Sequence, residues 1–349
     1  MKKNNRLIYL LIILLTIWCV VLSTIIVKNK DEQALSNINE IQVTGISTDF
    51  TEIVDDKSDS IVTISSSGTI SSGFIYSQDG DDVYIVTSYH GIADGINNTV
   101  YFESGYSINA EVVGTNEYAD LAVLKVNIPY STDALTLGDS SLCKAGELVI
   151  AIGTPVSLEY SHSTEMGMIS NNIKTIENSI TVDDNNIIYY LDVLQLSSNL
   201  KPGYSGSPII NMNGEAIGMV TMSLDERFNF AITANEIKII ANKLIKGDTV
   251  KKYQLGVKGS YVSEMPLFVR SNLNLSVDTV YGLYVEKLLD TSICNVAGIQ
   301  KGDIILSING VDINNINDYL GIVYSENDAF EFETLRDGEI FKYKVTIND

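Results

Sequence analysis

A serine lies between two glycines in the segment Gly203-Tyr204-Ser205-Gly206-Ser207-Pro208. Glycine lets the backbone turn tightly, so N–H groups can converge where a negatively charged oxygen would form. Ser205 is therefore a candidate nucleophile, and the N–H groups of Gly203 and Ser205 are candidates for an oxyanion hole. An ordinary serine-glycine turn is the alternative interpretation of the segment.

A serine hydroxyl needs an adjacent base to become a nucleophile near neutral pH. The chain has only two histidines, His90 and His162. His90 follows the apolar run 83–89, where the end of a buried strand can hold it rigidly while its ring faces a cleft. His162 lies in the polar stretch 160–163 without supporting context. A structural role is the alternative for either histidine.

A histidine base is oriented by a carboxylate that fixes its tautomer. Asp120 opens the apolar run 120–126 and can serve in this way, although a solvated strand-end carboxylate is the alternative. The chain order His90, Asp120, Ser205 is that of chymotrypsin-type double barrels, and it differs from the order in subtilisin and in the α/β hydrolases.

The surrounding sequence favours an all-β barrel or sandwich, because short β-like runs recur between residues 58 and 232. At 234–246 the apolar residues are spaced so that they fall on one face of a helix. This spacing predicts a helix, and Gly247 is placed to end it. The insert 174–190 predicts a surface hairpin or loop. The β-like runs include 60–65, 82–87, 121–126, 148–152 and 216–222.

A second module begins near residue 253, after the polar stretch 247–252. Its pattern of strands and helices predicts an α+β fold. The predicted strands are 282–285, 303–308, 330–335 and 341–347; the predicted helices are 292–297 and 315–323; and the turns are Asn309-Gly310 and Asp337-Gly338.

After residue 55 nearly the whole chain resembles the HtrA (DegP/DegS-like) family of trypsin-fold serine proteases. The resemblance is carried by the segments 72–75 (SGFI), 86–90 (VTSYH), 119–125 (ADLAVLK), 137–140 (LGDS), 151–155 (AIGTP), 203–208 (GYSGSP) and 230–232 (FAI). In the second module, 297–305 (AGIQKGDII) and 308–310 (ING) are similar to a PDZ domain.

The resemblance implies a mainly β fold, with a chymotrypsin-like double β-barrel at 56–247 and a PDZ domain at 253–349. A PDZ site adds a peptide strand to a sheet edge and captures its carboxyl terminus. The segment Tyr281-Gly282-Leu283-Tyr284 resembles the carboxylate-binding loop of a PDZ domain and is expected to bind that terminus. The residues expected near the primary specificity pocket are Asn199 and Leu200, which would favour medium aliphatic side chains.

The resemblance also implies a serine endopeptidase with the triad His90, Asp120 and Ser205. It further implies unfolded or regulatory proteins as substrates, a homotrimer, and no metal or organic cofactor. Tyr204 stands where the family has asparagine, and Ser207 where it has glycine. A weak or inactive protease-fold protein that works as a PDZ peptide-binding or chaperone module is therefore the alternative function.

Charge and cysteine content exclude other classes of protein. The chain has 23 basic and 44 acidic residues among 349, a formal net charge of −21. Nucleic acid is therefore excluded as an expected partner, since phosphate binding needs clustered lysine and arginine. The three cysteines, Cys19, Cys143 and Cys294, form neither a disulfide framework nor a metal-binding spacing.

The amino terminus predicts a membrane anchor. Residues 7–27 carry no charge, and as a helix they would span about 31 Å, the thickness of a bilayer core. Lys2, Lys3 and Arg6 precede them, so the positive-inside rule predicts a cytoplasmic tail at 1–6. A linker at 28–55 and both folded domains are then expected outside the cell membrane. A cleaved signal peptide is the alternative.

Overall fold

The computed structural model describes Trp18 and residues 50–347, apart from 94, 96, 183–184, 225–227, 276–278 and 280. No helix within these residues is long and apolar enough to cross a bilayer. The predicted tail, anchor and most of the linker lie outside the described residues, except for Trp18.

Six antiparallel strands form a first closed barrel, in the order β1-β2-β3-β6-β5-β4. Its interior is filled by branched apolar side chains such as Ile64, Ile75 and Ile85, which are fully buried. Such residues are stiff at χ1 and pack well on a pleated surface. The strands are β1 (Ile61–Ser66), β2 (Thr69–Asp79), β3 (Asp82–Ser88), β4 (Asn98–Phe102), β5 (Ser107–Asn116) and β6 (Leu121–Asn127).

Six further strands close a second barrel in the order β10-β11-β12-β9-β8-β7. The insert predicted at 174–190 is a hairpin, because β8 and β9 pair continuously as far as Val182 and Asn185. The strands are β7 (Leu148–Gly153), β8 (Ser163–Val182), β9 (Asn185–Leu196), β10 (Pro208–Asn211), β11 (Ala216–Leu224) and β12 (Phe228–Thr233).

Two helices flank the barrels, and one of them corrects the predicted linker. Helix α1 (Thr51–Lys57) crosses the expected boundary at residue 55, and its Ile53 and Val54 pack against the core. A seven-residue helix is too short for helical periodicity to show it. Helix α2 (Ala234–Ile245) confirms the predicted helix and is capped by the Thr233 side chain.

The remaining chain forms a sheet in the order β13-β14-β15-β17-β18, with β16 paired to β15. Strand β13 and helix α3 were not predicted from the sequence, because each is short and without clear periodicity. The strands are β13 (Val257–Tyr261), β14 (Leu283–Leu288), β15 (Ile304–Ile308), β16 (Val311–Asp312), β17 (Ala329–Arg336) and β18 (Glu339–Thr346). The helices are α3 (Leu267–Asn272), α4 (Ile293–Ala297) and α5 (Ile316–Val323).

A buried ion pair and a tyrosine hydroxyl join helix α2 to the stretch before the second module and to the module itself. The side chains of Glu236 and Lys252 are 0% and 3% exposed, and Lys252 Nζ lies 2.7 Å from Glu236 Oε1. The hydroxyl of Tyr324, just after α5, donates to the same oxygen at 2.5 Å. Two charges removed from water are tolerated because they compensate each other and because the hydroxyl satisfies part of the carboxylate.

We expect Lys252→Met to destabilise the protein by about 3–5 kcal/mol, since it leaves the Glu236 carboxylate buried without its cation. The matched control is Lys342→Met, which breaks the pair to Glu333 where Lys342 is 77% exposed. An exposed pair contributes about 0–1 kcal/mol. Urea unfolding of both variants measures the difference, and equal stabilities would contradict the assignment of a structural ion pair.

Candidate active site

Strand pairing brings His90 and Asp120 together. Strands β3 and β6 are antiparallel neighbours with Ser88 opposite Leu121. His90 lies two residues beyond Ser88, and Asp120 lies one residue before Leu121, so both stand at the same end of the barrel. The Tyr89 N–H continues the ladder by donating to the Asp120 carbonyl at 3.1 Å.

The Asp120 carboxylate is buried and holds the His90 ring in one orientation. Its Oδ1 accepts the backbone N–H of His90 at 2.9 Å. Its Oδ2 lies 2.7 Å from His90 Nδ1 and accepts the Thr221 hydroxyl at 2.5 Å. Because an ionised carboxylate only accepts hydrogen bonds, Nδ1 carries the ring proton and Nε2 is left to act as a base. Thr221 was not predicted from the sequence.

Ser205 meets the free side of the same ring. Its Oγ lies 2.9 Å from His90 Nε2. Ser205 belongs to the segment before β10 of the second barrel, and the Ser72 N–H of the first barrel donates to its carbonyl at 2.8 Å. The structure therefore brings the three predicted residues together where the two barrels meet.

The electrostatics of this site favour the protonated form of the histidine. The hydrogen bond to Asp120 raises the pKa of His90 above its usual 6.5, although burial of the ring acts in the opposite direction. A histidine ring held by a carboxylate in this way can take a proton and return it.

A tight turn at residues 201–204 shapes the segment before Ser205. The Tyr204 N–H donates to Lys201 O at 3.1 Å, and Gly203 takes a φ of +103° after Pro202. Proline followed by a glycine with positive φ is characteristic of a type II turn. Within the described part of the chain, the N–H groups of Gly203 and Ser205 donate to no other group. Both are free to bind an oxyanion.

The two residues that depart from the family pattern lie in the protein interior. Tyr204 is 4% exposed and packs in the core of the second barrel with Val149 and Ile209. Burial raises its pKa to about 12. Ser207 is also fully buried. Neither replacement places a bulky side chain over Ser205, a result that the sequence alone did not predict.

The remaining candidates from the sequence have varied outcomes. Leu200 is half-buried and packs with Tyr204 and Ile217, whereas Asn199 is exposed. The side chains of 222–228 are not among those described. His162 lies 2.5 Å from Glu103 Oε2 and 3.2 Å from Ile61 O, and the structure does not bring it to Ser205.

The segment 281–284 has no free sheet edge, which corrects the predicted peptide-binding loop. Leu283 and Tyr284 pair with β13 on one side and with β15 on the other. The Gly282 N–H also donates to Ile313 O at 3.0 Å. Because these backbone groups are already paired, a peptide strand cannot be added there. Strand β13 lies at one edge of this sheet, next to β14, and β18 lies at the opposite edge.

A cleft of about 870 Å³ lies between β13 and the long hairpin of the second barrel. Backbone and side chains of 258–261 line one wall, together with α3, and 171–176 line the other. Asp192 from β9 also lines the cleft, and burial raises its pKa.

The described residues offer no metal site. No group of three histidine, cysteine, aspartate or glutamate side chains among them is arranged to hold a metal ion. Cys143 and Cys294 are buried and free, and burial raises the pKa of the Cys143 thiol to about 12.

Comparisons with known proteins identify two domain families in the chain. The trypsin-like peptidase domain family matches residues 71–219, and the PDZ domain family matches residues 245–319. Serine protease Do-like HtrA of Lactobacillus helveticus is 31% identical, over 79% of this chain and 68% of that protein. Serine protease Do-like HtrB of Bacillus subtilis is 33% identical, over 79% of this chain but only 61% of that protein.

Solved structures share the fold. An HtrA-type protease, AlgW with a tripeptide, superimposes with a TM-score of 0.59 at 23% identity, covering 85% of this chain and 96% of that one. The serine endoprotease from Yersinia pestis gives a TM-score of 0.53 at 24% identity, covering 86% and 97%.

Proposed function

Because this chain belongs to the HtrA (Do-like) family of serine proteases, with a trypsin-like peptidase domain followed by a PDZ domain, we propose that it is a serine endopeptidase. Ser205 is the nucleophile, His90 the general base and Asp120 the residue that orients the base. The proposed protease domain runs from helix α1 to residue 247, and the proposed PDZ domain spans 253–349. The 2.9 Å contact between Ser205 Oγ and His90 Nε2 carries the proposal.

The proposed reaction proceeds through an acyl-enzyme. Ser205 Oγ attacks the peptide carbonyl while His90 Nε2 takes its proton, and His90 then gives that proton to the leaving amine. Asp120 stays ionised and stabilises the imidazolium. The N–H groups of Gly203 and Ser205 bind the oxygen that becomes negative, a contribution of about 10²–10³ in rate for each donor. Water then attacks the acyl-enzyme by the same steps in reverse.

A fluorophosphonate probe tests this function directly, because it phosphonylates a serine only when a base has activated it. The purified full-length chain is expected to be labelled at Ser205, and heat-denatured chain is the control for non-specific reaction. Absence of labelling, with and without added peptide, would contradict the endopeptidase and favour a protease-fold binding or chaperone module. Tyr204 and Ser207, the two replacements that motivate this alternative, are both buried.

We propose that unfolded or regulatory proteins are the substrates and that the PDZ domain binds peptide carboxyl termini along β13. Strand addition needs an unpaired edge, and β13 borders the cleft described above. Hydrogen exchange should slow at 257–261 when an extended peptide with a free carboxylate is added. The same peptide with an amidated terminus is the control. Protection confined to 281–284 would contradict this location.

Anchoring and assembly are proposed from the sequence and the family. The uncharged run 7–27, with basic residues before it, supports a single-pass anchor with a cytoplasmic amino terminus and extracytoplasmic domains. A homotrimer is proposed through the protease domain. Apolar side chains exposed on that domain support an interface: Leu142 and Val156 are 72% and 69% exposed. We propose no metal or organic cofactor, because the reaction needs none.

A further inference from the structure

We propose that Ser72, on strand β2 of the first barrel, is a positioning residue that holds the oxyanion-binding turn of the second barrel in shape. The inference rests on the proposed endopeptidase function. Ser72 is 0% exposed and does not touch the reacting atoms. Any effect on the reaction therefore acts through the backbone of residues 202–205.

The Ser72 hydroxyl joins two backbone segments. Its Oγ donates to Gly203 O at 2.8 Å and accepts the Thr154 N–H, also at 2.8 Å. Its own N–H donates to Ser205 O at 2.8 Å, and its carbonyl accepts the Thr87 hydroxyl at 2.7 Å. Ser72 thus uses its hydroxyl and its N–H at the contact between the barrels, while the Thr87 hydroxyl holds its carbonyl within the first barrel.

These contacts fix the peptide unit between the two oxyanion donors. The Gly203 N–H belongs to the peptide unit 202–203, and the Ser205 N–H belongs to the unit 204–205. The unit between them carries Gly203 O, which the Ser72 hydroxyl holds, and the Tyr204 N–H, which donates to Lys201 O. If that central unit rotates, both neighbouring N–H groups change direction.

The segment 154–156 supports the same turn from behind. The Val156 N–H donates to Pro202 O at 2.9 Å, which orients the peptide unit bearing the Gly203 N–H. Val156 takes a φ of +65°, which is costly for a β-branched residue. The Ser72–Thr154 hydrogen bond fixes the start of this strained segment, so the Ser72 hydroxyl stabilises both sides of the turn.

Loss of the hydroxyl favours a different turn. In Ser72→Ala the Gly203 carbonyl and the Thr154 N–H would both be buried without this partner, which is unfavourable. Gly203 can change its backbone angles more readily than other residues, so the central peptide unit can rotate toward a new partner. The oxyanion donors would then be misdirected while His90, Asp120 and Ser205 stay in contact.

The test compares Ser72→Ala with Ser71→Ala in the full-length chain. Ser71 is also buried, at 1% exposure, and its hydroxyl has no hydrogen-bond partner within the described residues. The fluorophosphonate inactivation rate at saturation is expected to fall about 10–100-fold in Ser72→Ala. Its half-saturation concentration and the pH midpoint set by His90 should stay unchanged. Ser71→Ala should remain within about twofold of wild type.

Each outcome decides the role of Ser72. A wild-type rate in Ser72→Ala overturns it, and so does an equal fall in both variants, which would show a general packing effect. A shifted pH midpoint also overturns it, since the triad would then be disturbed. If Ser72→Ala does not fold, Ser72→Cys is judged by the same criteria. Failure of the wild-type chain to react would overturn the proposed function itself and this role with it.

Discussion

Replacing Ser205 by alanine is expected to lower kcat for peptide hydrolysis by about 10⁶-fold, the loss seen when the nucleophile of a serine protease is removed. The reason is that Ser205 Oγ faces His90 Nε2 at 2.9 Å and no other side chain is described there that could form the acyl-enzyme. Hydrolysis of casein by purified chain measures the loss. The melting temperature should change little, because Ser205 is only partly buried.

A control substitution at a second serine distinguishes loss of catalysis from loss of the folded structure. Ser66, on β1, is buried and its hydroxyl has no partner among the described residues. Ser66→Ala removes the same atom from a residue that pairs with Thr69 and Asn98, and we expect it to retain wild-type turnover. Casein hydrolysis that persists in Ser205→Ala at the wild-type rate would show that another residue is the nucleophile.

The triad could be predicted from sequence because each member lies next to a recognisable strand. His90 ends an apolar run, Asp120 begins another, and pairing of β3 with β6 brings these two ends together. The flanking glycines mark Ser205 as a residue in a tight turn. Local pattern and chain order were therefore enough to single out these three residues, whereas the pattern alone left a barrel or a sandwich open and the double barrel followed from the family resemblance.

The contacts that support the triad could not be predicted in this way. Thr221 donates to Asp120 across 101 residues, and Ser72 donates to the Gly203 carbonyl across 131. Neither contact leaves a local pattern in the sequence, because both form only when the two barrels pack together. The Ser72 contact is also made to a backbone carbonyl, which the sequence around Gly203 does not distinguish from any other. The side on which the Tyr204 ring packs is likewise decided by the core of the second barrel.

The sheet edge that could accept a peptide was also not predictable from the sequence. The segment 281–284 has the apolar and glycine pattern of a binding loop, but edge status depends on which strands pair. Strand β13 is only five residues long and contains Gly259, so β-propensity alone gives it little weight. Its pairing with β14 fills the edge that the sequence pattern had assigned to the peptide.

Replacing Asp120 by asparagine is expected to lower kcat by about 10⁴-fold while preserving the fold, because the amide no longer selects the productive tautomer of His90. Asp120 Oδ2 accepts hydrogen bonds from both His90 Nδ1 and the Thr221 hydroxyl. An amide NH₂ at that position would donate to Nδ1 instead, so the ring proton would move to Nε2. Nε2 could then no longer accept the proton of Ser205.

The pH dependence tests the same contact independently. Asp120 raises the pKa of His90 above 6.5, and only the neutral ring is a base, so wild-type kcat/KM should rise through that raised value. In Asp120→Asn the midpoint of the remaining activity should move to lower pH. Because the folded-state pKa is raised, protonation of His90 also stabilises the wild-type fold below pH 6.5. That stability is lost as the pH rises through the folded pKa.

Glu117→Gln is the matched control for the change of charge. Glu117 lies three residues before Asp120 and accepts the Tyr89 hydroxyl at 2.9 Å. Among the described residues the His90 ring bonds to Asp120 and Ser205 and not to Glu117, so the amide variant of Glu117 should keep the wild-type midpoint. Profiles of kcat/KM between pH 5 and 9 distinguish the two carboxylates. If the midpoint moved equally in both variants, the negative charge around His90, rather than the hydrogen bond to Asp120, would set the pKa of His90.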